Sequence, residues 1–345
     1  MKKIIMLGLV ATLMACGSTK VRETNPEDIV KGPKGVQGSI ESPETDLSKN
    51  TTYSPVDLYS NAIRMSALMN FIASDELKGR DSGSAGIDQA ATFIEEAFEE
   101  NNIQPYFETF RDTLADFKPI SYNVVGWIPG NDPDLKDEFI VIGAHYDHIG
   151  IVNSTNGDAI ANGANDNASG TSTVLELARY FGNAKNNKRS LIFALFSAEE
   201  RGLMGSWHLA RKLKEANLDL YTMINFEMTG VPMIGKEYFM YITGYDKSNL
   251  AEVSNSHAGE NLIGLLPTAE EMNLFQRSDN YPFHDVFGVP SHTYCTFDFT
   301  NFDHYHGVDD EPQIMDFTHM ADVVNRIIPV IEGITNAAEK EITSN

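Results

Sequence analysis

Cysteine is nearly absent: the 345 residues hold two, Cys16 and Cys295. Cys16 stands in an N-terminal stretch that reads as a processed leader with a lipid-bearing sulfur, which leaves Cys295 alone. No disulfide is then available, and the fold has to rest on its apolar core. Basic residues are scarce, 26 Lys and Arg against 49 Asp and Glu, for a formal net charge of −23. That balance argues against a protein that grips nucleic acid or adheres to anionic lipid through a polybasic face. The chain shows no internal repeat, and its N-terminal apolar run is too short to span a bilayer.

What is present begins with that leader. M-K-K-I-I-M-L-G-L-V-A-T-L-M-A-C-G-S joins two lysines, a short apolar run and a small-residue site, the pattern of a signal peptide. Leu13-Met14-Ala15-Cys16 resembles the bacterial lipobox, which implies cleavage before Cys16 and a diacylglyceryl group on its sulfur. Residues 1–15 are therefore expected to be removed. Residues 16–55, rich in Pro, Gly, Ser, Thr, Asp and Glu, are expected to form a flexible acylated tether, and 56–345 a single α/β domain. Cleavage removes Lys2 and Lys3, taking the charge from −23 to −25. The expected location is the bacterial cell envelope, membrane-anchored at Cys16 and facing the periplasm or the cell surface.

Apolar spacing predicts a helix from residue 57 that ends before 79, and a second over 86–101. Segments 107–117 and 121–128 alternate as a hairpin-like pair of strands. The continuous apolar run 139–144 marks a strand covered on both faces. Helix 168–181, strand 190–196, helix 204–216 and strand 222–228 continue the alternation. Strand 239–243, helix 247–257, a short helix within 277–288, strand 290–297 and a long helix over 314–338 complete it. The order predicts a mostly parallel mixed central sheet with helices on both faces and a ligand site at the C-terminal strand ends.

The chemistry-bearing residues fall at those ends. His145 and Asp147, two apart on an extended segment, leave it on one side, so one can bind a metal while the other orients it. Taken alone, the pair equally describes a core histidine bonded to an aspartate. Asp166, in N-G-A-N-D-N-A-S-G, opens the next helical pattern. Glu199 and Glu200 follow an apolar strand. Adjacent side chains diverge, so one can ligate a metal while its neighbour acts as general base on a water. Two acids there are costly without a cation, unless they are a solvated helix start set against the dipole. Glu227 closes a third strand in I-N-F-E-M, and D-H-Y-H-G-V-D-D offers His304 and His306, between which spacing does not choose. His208, His257, His284, His292 and His319 read as structural or surface residues, and His148 is left undecided.

The set G-A-H-Y-D-H, N-G-A-N-D-N-A-S-G, F-S-A-E-E-R-G-L-M-G-S, I-N-F-E-M, R-S-D-N-Y-P-F with G-V-P, and H-Y-H-G-V-D-D resembles the M28 family of zinc aminopeptidases and carboxypeptidases. S-D-E-L-K-G-R-D-S-G-S-A-G is similar to that family's lead-in region, so the resemblance runs from about 60 to 340. It implies two zinc ions bridged by Asp166, His145 and Glu227 on one, Glu200 and His306 on the other. Glu199 is then the general base, Asp147 the partner of His145, and the peptide bond after Asp166 cis. His306 is implied over His304 because Tyr305, His306 and Asp310 match the family's Tyr-His and later Asp. Glu227 departs from the aspartate frequent in the family, and its longer carboxylate can shift or weaken that metal.

The implied activity is removal of N-terminal residues from peptides or proteins by a metal-bridged hydroxide. Tyr294 and Tyr305 are candidates to stabilise the oxyanion, and Glu270, Glu271 and Arg277 can each select substrate charge. Two other readings share these residues. One is a glutaminyl cyclase-like acyltransferase of the same fold with one zinc. The other is a metal-free, lipid-anchored binding domain. Oligomeric state is left open.

Overall fold

The computed structural model describes residues 59–345. The expected leader, the tether and the acylated Cys16 lie outside the described residues, which belong to one compact unit, Pro55–Asn345. The chain opens with helices α1 (Ala62–Ile72) and α2 (Ala85–Glu100), short strands β1 (Gln104–Pro105) and β2 (Arg111–Thr113), and β3 (Tyr122–Ile128). Then follow β4 (Glu138–His145), the hairpin β5 (Gly150–Thr155) and β6 (Asp158–Ala161), α3 (Gly170–Ala184), β7 (Ser190–Phe196), α4 (Met204–Glu215) and β8 (Asp219–Glu227). The remainder is β9 (Met240–Ile242), α5 (Leu250–Ala258), β10 (Ile263–Gly264), α6 (Pro267–Glu271), α7 (Asn280–Phe287), β11 (Ser291–Cys295) and α8 (Phe317–Asn336).

The main sheet has the order β1-β3-β7-β4-β8-β11-β9-β10, with β2 on β3. Its centre, β7-β4-β8-β11, is parallel, while β3 and β9 join it antiparallel. The apolar runs do what a strand covered on both faces requires. Ile140, Ile142 and Ala144 pack into one core layer, and Val141 turns to the other beside Leu209, Leu213 and Phe283. The chain leaves β4, returns in β7 on one side, then crosses to β8 on the other. That reversal opens a crevice at the C-terminal end of β4, where ligands of open α/β sheets bind.

Three segments differ from the expected elements. The first helix stops at Ile72, and a tight 3-10 segment, Asp75–Arg80, replaces its predicted continuation. Gly79 sits at φ +67, and a Cβ there would lie 2.3 Å from the Ala161 carbonyl oxygen, so the chain passes the hairpin as bare backbone. The predicted strand 107–117 shrinks to β2, because Tyr106 and Phe107 turn to pack edge-on, Tyr106 also against Trp127. The β5–β6 hairpin was not foreseen, although Asn156 and Gly157, at φ 53 and 95, form the two-residue turn that Asn-Gly favours.

Candidate metal centre

His145 is the last residue of β4 and pairs in register with Phe196 at the end of β7, which carries Glu199 and Glu200 just beyond it. On the other side Gly143 pairs with Asn225, so Glu227 ends β8 at the level of His145. Asp166 comes from the turn into α3, across the cis peptide to Asn167. Its setting is specified by its neighbours. The Asn167 amide donates to the Phe226 carbonyl at 3.0 Å, and its oxygen accepts from the Met228 amide at 3.1 Å. Asp310 accepts from the backbone N–H groups of Asn165 and Asp166 at 2.7 and 3.1 Å. Asp166 is thereby tied to the end of β8 and to the loop that carries His306.

The distances around Asp166 are informative. Its Oδ1 lies 3.3 Å from His145 Nε2, and its Oδ2 lies 3.2 Å from His306 Nε2. His306 Nε2 is also 3.2 Å from Glu200 Oε2. Tetrahedral zinc with ligands at about 2.0–2.1 Å sets neighbouring ligand atoms roughly 3.3 Å apart. Ligand-type atoms of His145, Asp166 and Glu227 lie within 4.8 Å of one another, as do those of His148, Asp166 and Glu200. The buried His145 Nε2 has no hydrogen-bond partner, which a metal would supply.

Electrostatics agree with a cation site. Burial, with Asp166 and Glu200 adding to it against His145, pushes Glu227 up to about 7. Burial pushes Glu199 well above the carboxylate range, with His145 opposing and Glu227, Asp279 and Glu200 reinforcing. Burial opposes protonation of His306, yet Asp166 and Glu200 outweigh it and carry the imidazole up to about 10. Carboxylates crowded in this way hold protons unless cations lie among them. The residues form two candidate cation-holding groups that have Asp166 in common.

The structure brings together His145, Asp166, Glu199, Glu200, Glu227 and His306. Three details depart from the expectations. Asp147 is only partly the partner of His145: His145 Nδ1 is 3.2 Å from the Asp147 carbonyl oxygen and 3.7 Å from its carboxylate. That carboxylate also accepts from Ser82 Oγ at 3.0 Å and from the Glu199 N–H at 3.2 Å, so it braces the loop after β7 as well. His148, left undecided, is fully buried with Nδ1 2.9 Å from Glu200 Oε1. Donation there leaves Oε2 facing His306. Tyr294 is excluded as an oxyanion group because its hydroxyl is buried against Ser254 at 2.7 Å, whereas Tyr305 lines the pocket beside Glu227. Of the histidine pair, His306 reaches the centre and His304 packs edge-on to Phe302.

Sequence reasoning also missed Arg80. Fully buried, it donates to the carbonyls of Ile72, Tyr146, Asn162 and Gly163 at 2.6–2.9 Å, joining the loop after His145 to the segment before Asp166. Burial lowers its pKa to about 10, with Asp310, Asp147 and Asp166 opposing, so it stays charged at neutral pH. The signal was an arginine set between glycine and acid in K-G-R-D. Arg80→Met leaves four carbonyls without their donor and is expected to lower the unfolding free energy by about 3–5 kcal/mol, read by urea denaturation. A loss below about 1 kcal/mol would mean that water replaces the guanidinium there.

Imidazoles and carboxylates grouped around one shared aspartate define a candidate binuclear metal centre at the C-terminal edge of an α/β sheet. The family model described as peptidase family M28 matches residues 123–331, and the chain belongs to that family. It is 31% identical over 206 residues to a probable leucine aminopeptidase of Trichophyton verrucosum, covering 58% of the chain and 52% of that relative. It is 30% identical over 212 residues to a probable zinc metalloprotease of Pyrenophora teres f. teres, covering 57% and 43%. The chain thus spans about half the length of the curated relatives it matches. Among solved structures, LapA aminopeptidase of Legionella pneumophila superposes with a TM-score of 0.64 at 20% identity, covering 86% of this chain and 81% of that one. Glutaminyl cyclase of Porphyromonas gingivalis superposes at 0.62 and 18% identity, covering 80% and 98%. Both likenesses concern the fold.

Proposed function

We propose that this protein is a zinc exopeptidase that removes N-terminal residues from peptides, with two zinc ions held by His145, Asp166, Glu227, Glu200 and His306. The observation that carries the reading is Asp166, whose two oxygens face separate ligand groups at 3.2–3.3 Å. Zinc bound there supplies an acidified water and polarises a carbonyl. The chain's own residues do the rest. Glu199, whose charge is felt at His145, accepts the proton of the attacking water and delivers it to the leaving amine. Glu200 and Glu199 can divide these tasks because Glu200 is held by His148 while Glu199 makes no such bond. The free α-ammonium of a peptide is attracted by the surrounding carboxylates. Tyr305, beside the pocket, keeps its phenol protonated because burial and Asp166 raise its pKa, leaving an O–H donor at the site.

The likeness to a glutaminyl cyclase keeps a second reading in view, in which N-terminal glutamine is cyclised without water. A Gln-initiated peptide separates the two. Free glutamine among the products supports the peptidase, and pyroglutamate as the sole product contradicts it.

A further inference from the structure

The hollow beside Glu227 is small, with a cavity volume of about 50 Å³, and opens to solvent. That is well below the size of a drug-sized ligand site, so it suits at most one side chain rather than a length of peptide. Of its lining residues, Tyr241 and Cys295 are buried, whereas Arg277, between the 3-10 turn Leu274–Gln276 and α7, is exposed. Arg277 is the one basic residue lining it. Arg64, Arg111, Arg179, Arg189, Arg201 and Arg326 each pair with a carboxylate. Among the described residues the Arg277 guanidinium has no carboxylate within the 4.0 Å of an ion pair. The hollow's lone acid, Glu227, is turned to His145, Asp166 and Ser278. With Glu227 committed to the metal centre, Arg277 is the remaining formal charge on the wall, and the hydroxyls of Thr243 and Thr293 add further polar surface.

Resting on the peptidase reading, we infer that this hollow takes the substrate's first side chain and that Arg277 selects a carboxylate there, so that peptides beginning with glutamate or aspartate are the preferred class. A guanidinium offers a planar pair of donors that matches a carboxylate, and a carboxylate leaves neither charge bare. An aliphatic side chain in the same place covers the cation without replacing its water. The same guanidinium could instead meet the terminal carboxylate of a dipeptide, which has the same chemistry from a different source.

The test uses the zinc-supplemented protein with glutamyl-, glutaminyl- and leucyl-p-nitroanilide, which carry no terminal carboxylate. The expected kcat/KM for glutamyl exceeds that for the isosteric glutaminyl substrate by roughly tenfold to a hundredfold. Arg277→Gln brings the ratio near one, and Arg277→Lys recovers part of it. A glutaminyl or leucyl preference, or a ratio that Arg277→Gln leaves unchanged, overturns the inference. So does a preference for Leu-Gly over Leu-Gly-amide without glutamyl selectivity, which would assign Arg277 to the chain terminus. If none of the anilides or peptides is cleaved, the peptidase reading fails, and calorimetry with free L-glutamate and L-glutamine decides the pocket separately. Glutamate-selective binding that Arg277→Gln abolishes sustains it, and unselective or absent binding overturns it.

Discussion

Glu199→Gln is expected to retain its metal and to lose about 10²–10⁴-fold in kcat, the usual share of a positioned general base. The backbone places Glu199 where this test is clean. Its N–H is held by Asp147 Oδ1 at 3.2 Å, and that bond survives the substitution because Glu199 contributes only its main chain to it. Glu200 next door is fixed by His148 at 2.9 Å and faces His306, so the carboxylate proposed to hold metal is not the one altered. Glutamine keeps the volume of glutamate and can still hydrogen-bond a water, but it cannot take the proton. The measurement is steady-state kinetics alongside zinc content on the same preparation. Activity within about tenfold of the wild type, well inside the loss expected of a general base, would remove Glu199 from that role.

Asp166→Ala has the larger expected effect on the metal itself. His145 faces one Asp166 oxygen at 3.3 Å and His306 the other at 3.2 Å, so one truncation takes a ligand from both groups. Each half is then left with two of its three proposed ligands, fewer than the three protein ligands typical of catalytic zinc. Zinc content is expected to fall from about two to below one per chain, with peptide hydrolysis lost in step. The fold should persist. Removing one acid eases the repulsion among Glu199, Glu200 and Glu227, and the backbone there stays tied through Asp310 and Asn167. Elemental analysis with far-ultraviolet circular dichroism reads both quantities, and undiminished zinc would show that Asp166 does not join the two sites.

Much of this centre was legible before any coordinates. Asp166, Glu199, Glu200 and Glu227 are acids next to apolar runs, and an acid so placed is costly unless a partner waits for it. The sheet was legible for a similar reason, since strands such as Ser190–Phe196 are apolar at nearly every position and have to be covered twice. What stayed hidden depends on distant partners. Arg80 meets the Tyr146 carbonyl across 66 residues, and Asp310 meets the Asn165 N–H across 145, pairings that local periodicity does not encode. The choice of His306 over His304 rests on a loop turned through φ 57 at His306, which spacing alone left open. His148 becomes part of the site because the unforeseen β5–β6 hairpin follows it and brings Gly163 against its ring, where a Cβ would come within 2.5 Å.

The central claim is that Asp166 joins two metal ions. Anomalous diffraction at the zinc edge, from crystals of the zinc-supplemented protein, tests it directly. Two peaks are expected to flank the Asp166 carboxylate, one contacted by His145 and Glu227 and the other by Glu200 and His306. A single peak, or none at full-length protein saturated with zinc, would contradict it.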